Sequence, residues 1–308
     1  SDVYKRQVPK SESFDRSIAY YSQAKMYGLD FNYALRYDFN ERLTSTKNYE
    51  DSAFSISTNT SQQITDNLSY NLGLSHVSRS PNMAELFADG KHGPTNRYEK
   101  GDNSLEREVS KNIDLGLQFT SGDSTLDFSI YYNDIKDFIY LRDLGTTSYD
   151  GEHQDANWSQ KDAVFQGYEI SYMKPFTVGD TDLYLTLSRD DISATFDNDT
   201  YVPRIPSAKN VLDLTILGQK NETYAISLIF SESQKDFSSI ETETNSYVDL
   251  AMKYSNKIAI SSNYDLNVNL FGNNLLDTTR RNHASFVKAH VPLPASSFGF
   301  DVSLDYKF

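Results

Sequence analysis

Apolar residues at every second position, repeated over roughly ten-residue segments from residue 28 onward, leave few folds open to this chain. Successive side chains of a β-strand point to opposite faces, so a period of two means strands with one apolar and one polar face. The last segment is the clearest. Phe298, Phe300, Val302, Leu304, Tyr306 and Phe308 share one face, while Gly299, Asp301, Ser303, Asp305 and Lys307 share the other. The same division recurs through Leu29–Tyr37, Leu68–Leu74, Ile113–Phe119, Leu126–Tyr132, Leu212–Ile216, Val248–Tyr254 and Leu266–Leu270. Thirteen such segments are placed between residues 16 and 308. Charged residues on the second face need water, so Asp301, Ser303 and Asp305 are expected on a concave, lumenal side. Phe300 and Leu304 are expected to point outward.

The connections sort by length. Tight turns fall at Ile64–Asn67, Ser121–Ser124, Val178–Asp180, Lys220–Asn221 and Lys257–Ser262. Long polar connections lie between them, at 41–50, 80–108, 141–160, 197–207, 234–244 and 273–296. Short turns at one end and long loops at the other are the pattern of an outer-membrane barrel, whereas a soluble β-sandwich has no reason to sort its loops in this way. The fold expected is therefore all-β: an antiparallel transmembrane β-barrel, incomplete, with about a dozen meander strands of a larger wall. With a periplasmic C-terminus, every long connection is extracellular. All five histidines then fall at that end, with His92, His153, His283 and His290 in loops and His76 near a strand's upper rim.

Composition excludes several other classes. No run approaches 18 apolar residues, so no transmembrane helix is expected. Cysteine is absent, which removes disulfide frameworks and thiol chemistry. A net charge of -14 argues against nucleic acid as a partner and favours cations at acidic loops. Ser1 to Gln7 reads as the translation of a transposase sequencing adapter, and is taken as a scar ahead of a barrel portion at 8–308.

Several stretches resemble TonB-dependent receptors. Ala34-Leu35-Arg36-Tyr37-Asp38 is similar to that family's Gly-Leu-Arg-Tyr-Asp strand end, and Arg79-Ser80-Pro81-Asn82-Met83-Ala84-Glu85-Leu86 to its Arg-Ala-Pro-x-x-x-Glu-Leu. Gly101-Asp102-Asn103-Ser104-Leu105-Glu106-Arg107-Glu108 resembles Gly-Asn-Pro-Asp-Leu-x-x-Glu, with Ser104 in place of the usual Asp and the Pro lost. Asn273-Asn274-Leu275-Leu276-Asp277 and the terminal Phe308 complete the set. Two segments point to the zinc-uptake subgroup. They are Asp89-Gly90-Lys91-His92-Gly93-Pro94-Thr95-Asn96-Arg97-Tyr98-Glu99-Lys100-Gly101 and Arg281-Asn282-His283-Ala284-Ser285-Phe286-Val287-Lys288 with Pro292-Leu293-Pro294. The order of His, Gly and Pro differs in the first, and Ala295-Ser296 replaces Gly-Arg after the second.

The resemblance implies an active importer in the outer membrane of a Gram-negative bacterium, in contact with lipid and lipopolysaccharide. Its N-terminal plug and energy-coupling box are not in this sequence, and through that plug it would engage the TonB complex. No cofactor is expected, zinc being a candidate cargo. His92, Asp89 and His283 are the candidate metal ligands, since imidazole and carboxylate suit Zn²⁺. Taken alone they read as polar loop residues, and an Asn-His-x-Ser loop can simply bond its own backbone. Asp150, Glu152, His153 and Asp155 form a further cation-friendly run that also reads as solvated surface. His76 and Ser78 are close enough to suggest an outer-membrane phospholipase pair. Nothing in the sequence orients a base or builds an oxyanion hole, so enzymatic function is not expected. A siderophore or haem receptor of the same family, a passive porin and an adhesin-like barrel remain as alternatives.

Overall fold

A computed structural model of the chain describes residues 8–26, 28–149 and 151–306. The adapter-like segment 1–7, Asp150, Lys307 and the terminal Phe308 lie outside the described residues. The described chain is almost entirely one sheet. Thirteen strands form its path in sequence order, each antiparallel to the next: β1 Ser11–Met26, β2 Leu29–Thr44, β3 Asn48–Thr65, β4 Leu68–Arg79, β7 Glu108–Ser121, β8 Ser124–Thr147, β9 Gln154–Val178, β10 Thr181–Phe196, β11 Lys209–Leu217, β12 Glu222–Ser231, β13 Tyr247–Ala259, β14 Tyr264–Asn273 and β15 Ser297–Tyr306. Between β4 and β7 lie a short helix, α1 Met83–Phe87, and a small hairpin of β5 Asp89–His92 and β6 Arg97–Lys100. The thirteen expected segments are the thirteen wall strands.

Register keeps the two faces separate from strand to strand. Leu266, Val268 and Leu270 sit opposite Leu304, Val302 and Phe300, whereas Asn267 and Asn269 sit opposite Ser303 and Asp301. Asn267 donates to Asp305 at 2.8 Å and Asn269 to Asp301 at 3.2 Å. A concavity of about 950 Å³ on the inner side is lined by polar members of the other strands, among them Asn71, Gln118, Asp127, Glu169 and Ser188. The continuous register assigns the carboxylates of β15 to this same side. On the convex side the large apolar residues stand exposed, Phe300 at 76% and Leu304 at 57%. A water-soluble surface rarely carries a contiguous apolar patch above a few hundred Å².

Buried apolar side chains gather at the opposite place from a soluble core. They form two clusters beside the long connections: Ala163, Ala194, Phe196, Val202 and Ile205 in one, and Leu86, Phe87, Leu105 and Ile139 in the other. Along the wall the apolar side chains face outward, so burial is left to the loops.

Two expected loops are mostly strand. The connection placed at 41–50 shrinks to three residues, because β2 runs to Thr44 and β3 starts at Asn48. Likewise the connection placed at 141–160 lies largely within β8 and β9, of 24 and 25 residues. Both strands are far longer than the roughly 9–11 residues that a tilted membrane-spanning strand needs. Polar side chains alone do not end a strand. The backbone ladder continues into water regardless, since each N–H and C=O still needs a partner.

Candidate functional site

The family-like motif after β4 builds the base of the 80–107 connection. Asn82 caps α1, accepting from the N–H groups of Ala84 and Glu85, while Glu85 reaches back to the Asn82 N–H at 2.7 Å. This reciprocal arrangement is a capping box. Glu85 also takes Arg79 at 2.9 Å, and the same guanidinium holds Glu108 at 2.7 Å across the β4–β7 pair. The Arg and Glu of this motif and the closing Glu of the Gly101–Glu108 segment thus meet around one ion-paired centre. Gly101 then passes so close to the end of α1 that a Cβ would lie 2.5 Å from the Leu86 carbonyl carbon and the Phe87 nitrogen. Those are backbone atoms and cannot yield. Gly101→Ala is accordingly expected to destabilise this loop by about 1–3 kcal/mol, the usual range of over-packing, seen as faster proteolysis at 80–107 while the wall stays intact.

From that base the chain enters the β5–β6 hairpin. β6 crosses over to pair in parallel with Gln154–Asn157 of β9, whose other edge already holds β8. Gly93, Pro94, Thr95 and Asn96 make the turn, closed by the Asn96 N–H on the Gly93 carbonyl, and Asn96 has φ of 53°. His92 closes β5 with Nδ1 2.9 Å from a carboxylate oxygen of Glu99, and Thr95 donates to that same oxygen at 2.6 Å. The Glu99 residue is only 1% exposed, whereas the His92 side chain keeps 37% of its surface. Asp89 stands at the far end of β5 and accepts from Tyr98 at 3.1 Å. Burial, and next the hydrogen bond to Asp89, push the Tyr98 hydroxyl up to about 12.

A second layer joins this hairpin to other connections. Arg97, on the opposite face of β6 from Tyr98, grips Asp143 of β8 at 2.5 Å, and Arg204 of the β10–β11 connection reaches the same carboxylate at 3.3 Å. The ring of Phe286, from the β14–β15 connection, lies 4.0 Å from the Arg204 guanidinium and 5.5 Å from that of Arg97. His283 is 2% exposed, with Nδ1 2.8 Å from Thr244 and 3.0 Å from the Lys288 ammonium, and Nε2 3.7 Å from Glu241. Burial first, then Lys288, lower its pKa to about 4, against a smaller opposing effect of Glu241. At the base of this connection Asn274 is fully buried, bonded in both directions to Thr278, and Asp277 accepts from Ser296. The Asn-Asn-Leu-Leu-Asp motif therefore shapes a turn.

The three candidate ligands fall in three different settings. Asp89 and His92 are three apart on a strand, which sends them to opposite faces. His283 lies inside the β12–β13 and β14–β15 contact, beside a cation. Glu152 faces Lys91 at 3.8 Å, and Asp155 accepts from Thr146. Among the described residues no three His, Asp or Glu side chains are grouped closely enough to hold a metal ion. Cross-strand neighbours of His76 are Ile56 and Lys111, neither able to orient it as a base. The sequence reading passed over Glu99, Asp143, Arg204 and Lys288. Glu99 and Lys288 carried a signal, the first as the Glu of the Tyr-Glu-Lys-Gly segment and the second as the Lys that closes the segment from Arg281.

Residues 3–275 match the family described as TonB dependent receptor-like, beta-barrel. The fold is similar to that of the solved copper transporter OprC, with a TM-score of 0.76 and 17% identity over 97% of this chain and 48% of that one. It is also similar to the FrpB iron transporter of Neisseria meningitidis, at 0.72 and 18% over 99% and 47%. The siderophore receptor PirA of Acinetobacter baumannii aligns at 0.63 and 14% over 97% and 55%. The chain spans about half the length of these solved structures.

Proposed function

This chain belongs to the TonB-dependent receptor-like β-barrel family, and we propose that it forms the C-terminal part of an outer-membrane importer for a metal ion, foremost zinc, or a metal complex. On this reading residues 8–308 are barrel wall, the plug and first strands precede them, and energy arrives from the TonB complex through the plug. The convex face meets lipid and lipopolysaccharide, and the long connections open to the cell exterior.

The observation that carries the metal reading is the pairing of His92 with Glu99. A metal-binding imidazole commonly gives its other ring N–H to a carboxylate, which fixes the tautomer and raises the basicity of the ligating nitrogen. Buried Glu99, steadied by Thr95, takes Nδ1 of a ring that is still partly exposed, and so leaves Nε2 as the ligating atom. Completing the coordination sphere needs further ligands, to which loop movement or the plug would contribute. Asp89 and His283 are the candidates from this chain, the first after a change of strand face and the second only after it leaves its buried contact.

Zinc titration of the full-length receptor tests this. His92→Ala is expected to weaken binding at least tenfold, and Glu99→Gln roughly 10–100-fold, the usual cost of losing an outer-shell partner. Equal affinity in wild type and His92→Ala removes His92 from the site. No zinc binding by the intact receptor turns the reading to a siderophore or haem complex.

A further inference from the structure

The β14–β15 connection is tied down along its length to parts of the chain far away in sequence. Its base is pinned by Arg280, which pairs with Asp249 of β13 and donates to the Pro294 carbonyl at 2.6 Å. Its middle is held by Lys288, whose ammonium donates to the Thr242 carbonyl at 2.7 Å and to buried His283. Its tip carries Phe286 against two guanidiniums that share Asp143. Arg204 is mostly buried, and burial lowers its pKa, so its charge is poorly served by water. An aromatic face is worth most to a cation in that condition.

Arg97 is the second half of the argument. It belongs to β6, where Glu99 two residues on supports His92. Among the described residues the hairpin's strand pairing with the wall is confined to the short parallel stretch at 154–157, and a pair of four-residue strands is marginal without added packing. The ring of Phe286 supplies packing on the guanidinium that fixes this hairpin to Asp143.

We propose that the β14–β15 connection is a strap that fastens the β5–β6 hairpin in place, with Phe286 as its pin. Release of the pin frees both segments together: the strap over 280–291 and the hairpin over 89–100. The wall below, held by continuous ladders, is unaffected. The strap stands whether or not His92 binds a metal.

Hydrogen exchange of the full-length receptor in detergent micelles, read by mass spectrometry, tests the coupling. In Phe286→Leu, which keeps apolar volume and loses the π-face, exchange at both 89–100 and 280–291 is expected to rise roughly tenfold. Phe286→Tyr, which keeps the ring, is expected to retain wild-type protection at both. A rise confined to 280–291 overturns the strap, because Phe286 then packs only locally. Full protection in Phe286→Leu overturns it as well, and if that variant does not assemble, Arg97→Gln is read at 280–291 for the same linked loss.

Discussion

Leu214→Arg is expected to stop the receptor from assembling in a bilayer, while Thr215→Arg, one residue further on, leaves assembly nearly unchanged. Leu214 lies on the convex face between Leu185 of β10 and Ile226 of β12. Thr215 is on the polar face with Asp213, whose partners are Thr186 and Ser227. An arginine on the lipid face near the midplane costs about 2–4 kcal/mol, and in the lumen its charge remains hydrated. Refolding of the full-length receptor into lipid vesicles, followed by heat-modifiable gel mobility, separates the two variants. Equal folding yields would mean that the convex face does not meet lipid, and the membrane reading would fall with it.

The strap is also expected to loosen in acid. His283 is surrounded by Lys288, Thr244, Glu241 and Phe237, contributed by its own connection and by the β12–β13 connection. Burial and the neighbouring ammonium place its pKa at about 4, below its ordinary 6.5, so the undocked strap binds the extra proton. Docking is at full strength above about pH 6.5 and weakens as pH falls from there toward 4. Protection at 280–291, corrected for the intrinsic exchange rate at each pH, should therefore fall between pH 6.5 and 4 in the wild type, and His283→Gln, which has no titrating ring, should flatten that fall. An unchanged acid response in His283→Gln would assign the effect to carboxylates such as Glu241.

How far the site could be read in advance differs from residue to residue. Asp89 and His92 looked like neighbours because a segment rich in Gly, Pro and Asn reads as loop. The structure makes Asp89–His92 a strand, held to β6 and through it to β9, and a strand parts residues three apart. Strand-to-strand contact over that distance in sequence leaves no periodic trace in a four-residue segment. His283 read as a candidate ligand or as a loop histidine bonding its own backbone, since only tertiary contact places Lys288 and Thr244 around it. Glu99, by contrast, was in plain view within a motif, yet its buried bond to His92 depends on a turn whose geometry no spacing rule supplies.

The wall strands, their faces and the long-loop end were determined by the sequence itself, because alternation in a strand is a local property set by backbone geometry. Where alternation is interrupted, the reading ended early. At Lys136 and Asp137 a bulge, with Asp137 at φ of 56° and its N–H bonded to Asp162, inserts an extra residue and reverses which side chains share a face. The sequence reading closes β8 there, while the strand goes on to Thr147 and brings Ile139 to α1. Tertiary structure alone decided how high the two hairpins rise, which connections pack on them, and that Phe286, Arg97 and Arg204 meet. Those outcomes rest on contacts between segments up to about two hundred residues apart, made by side chains whose partners are fixed only once the sheet has put them within reach.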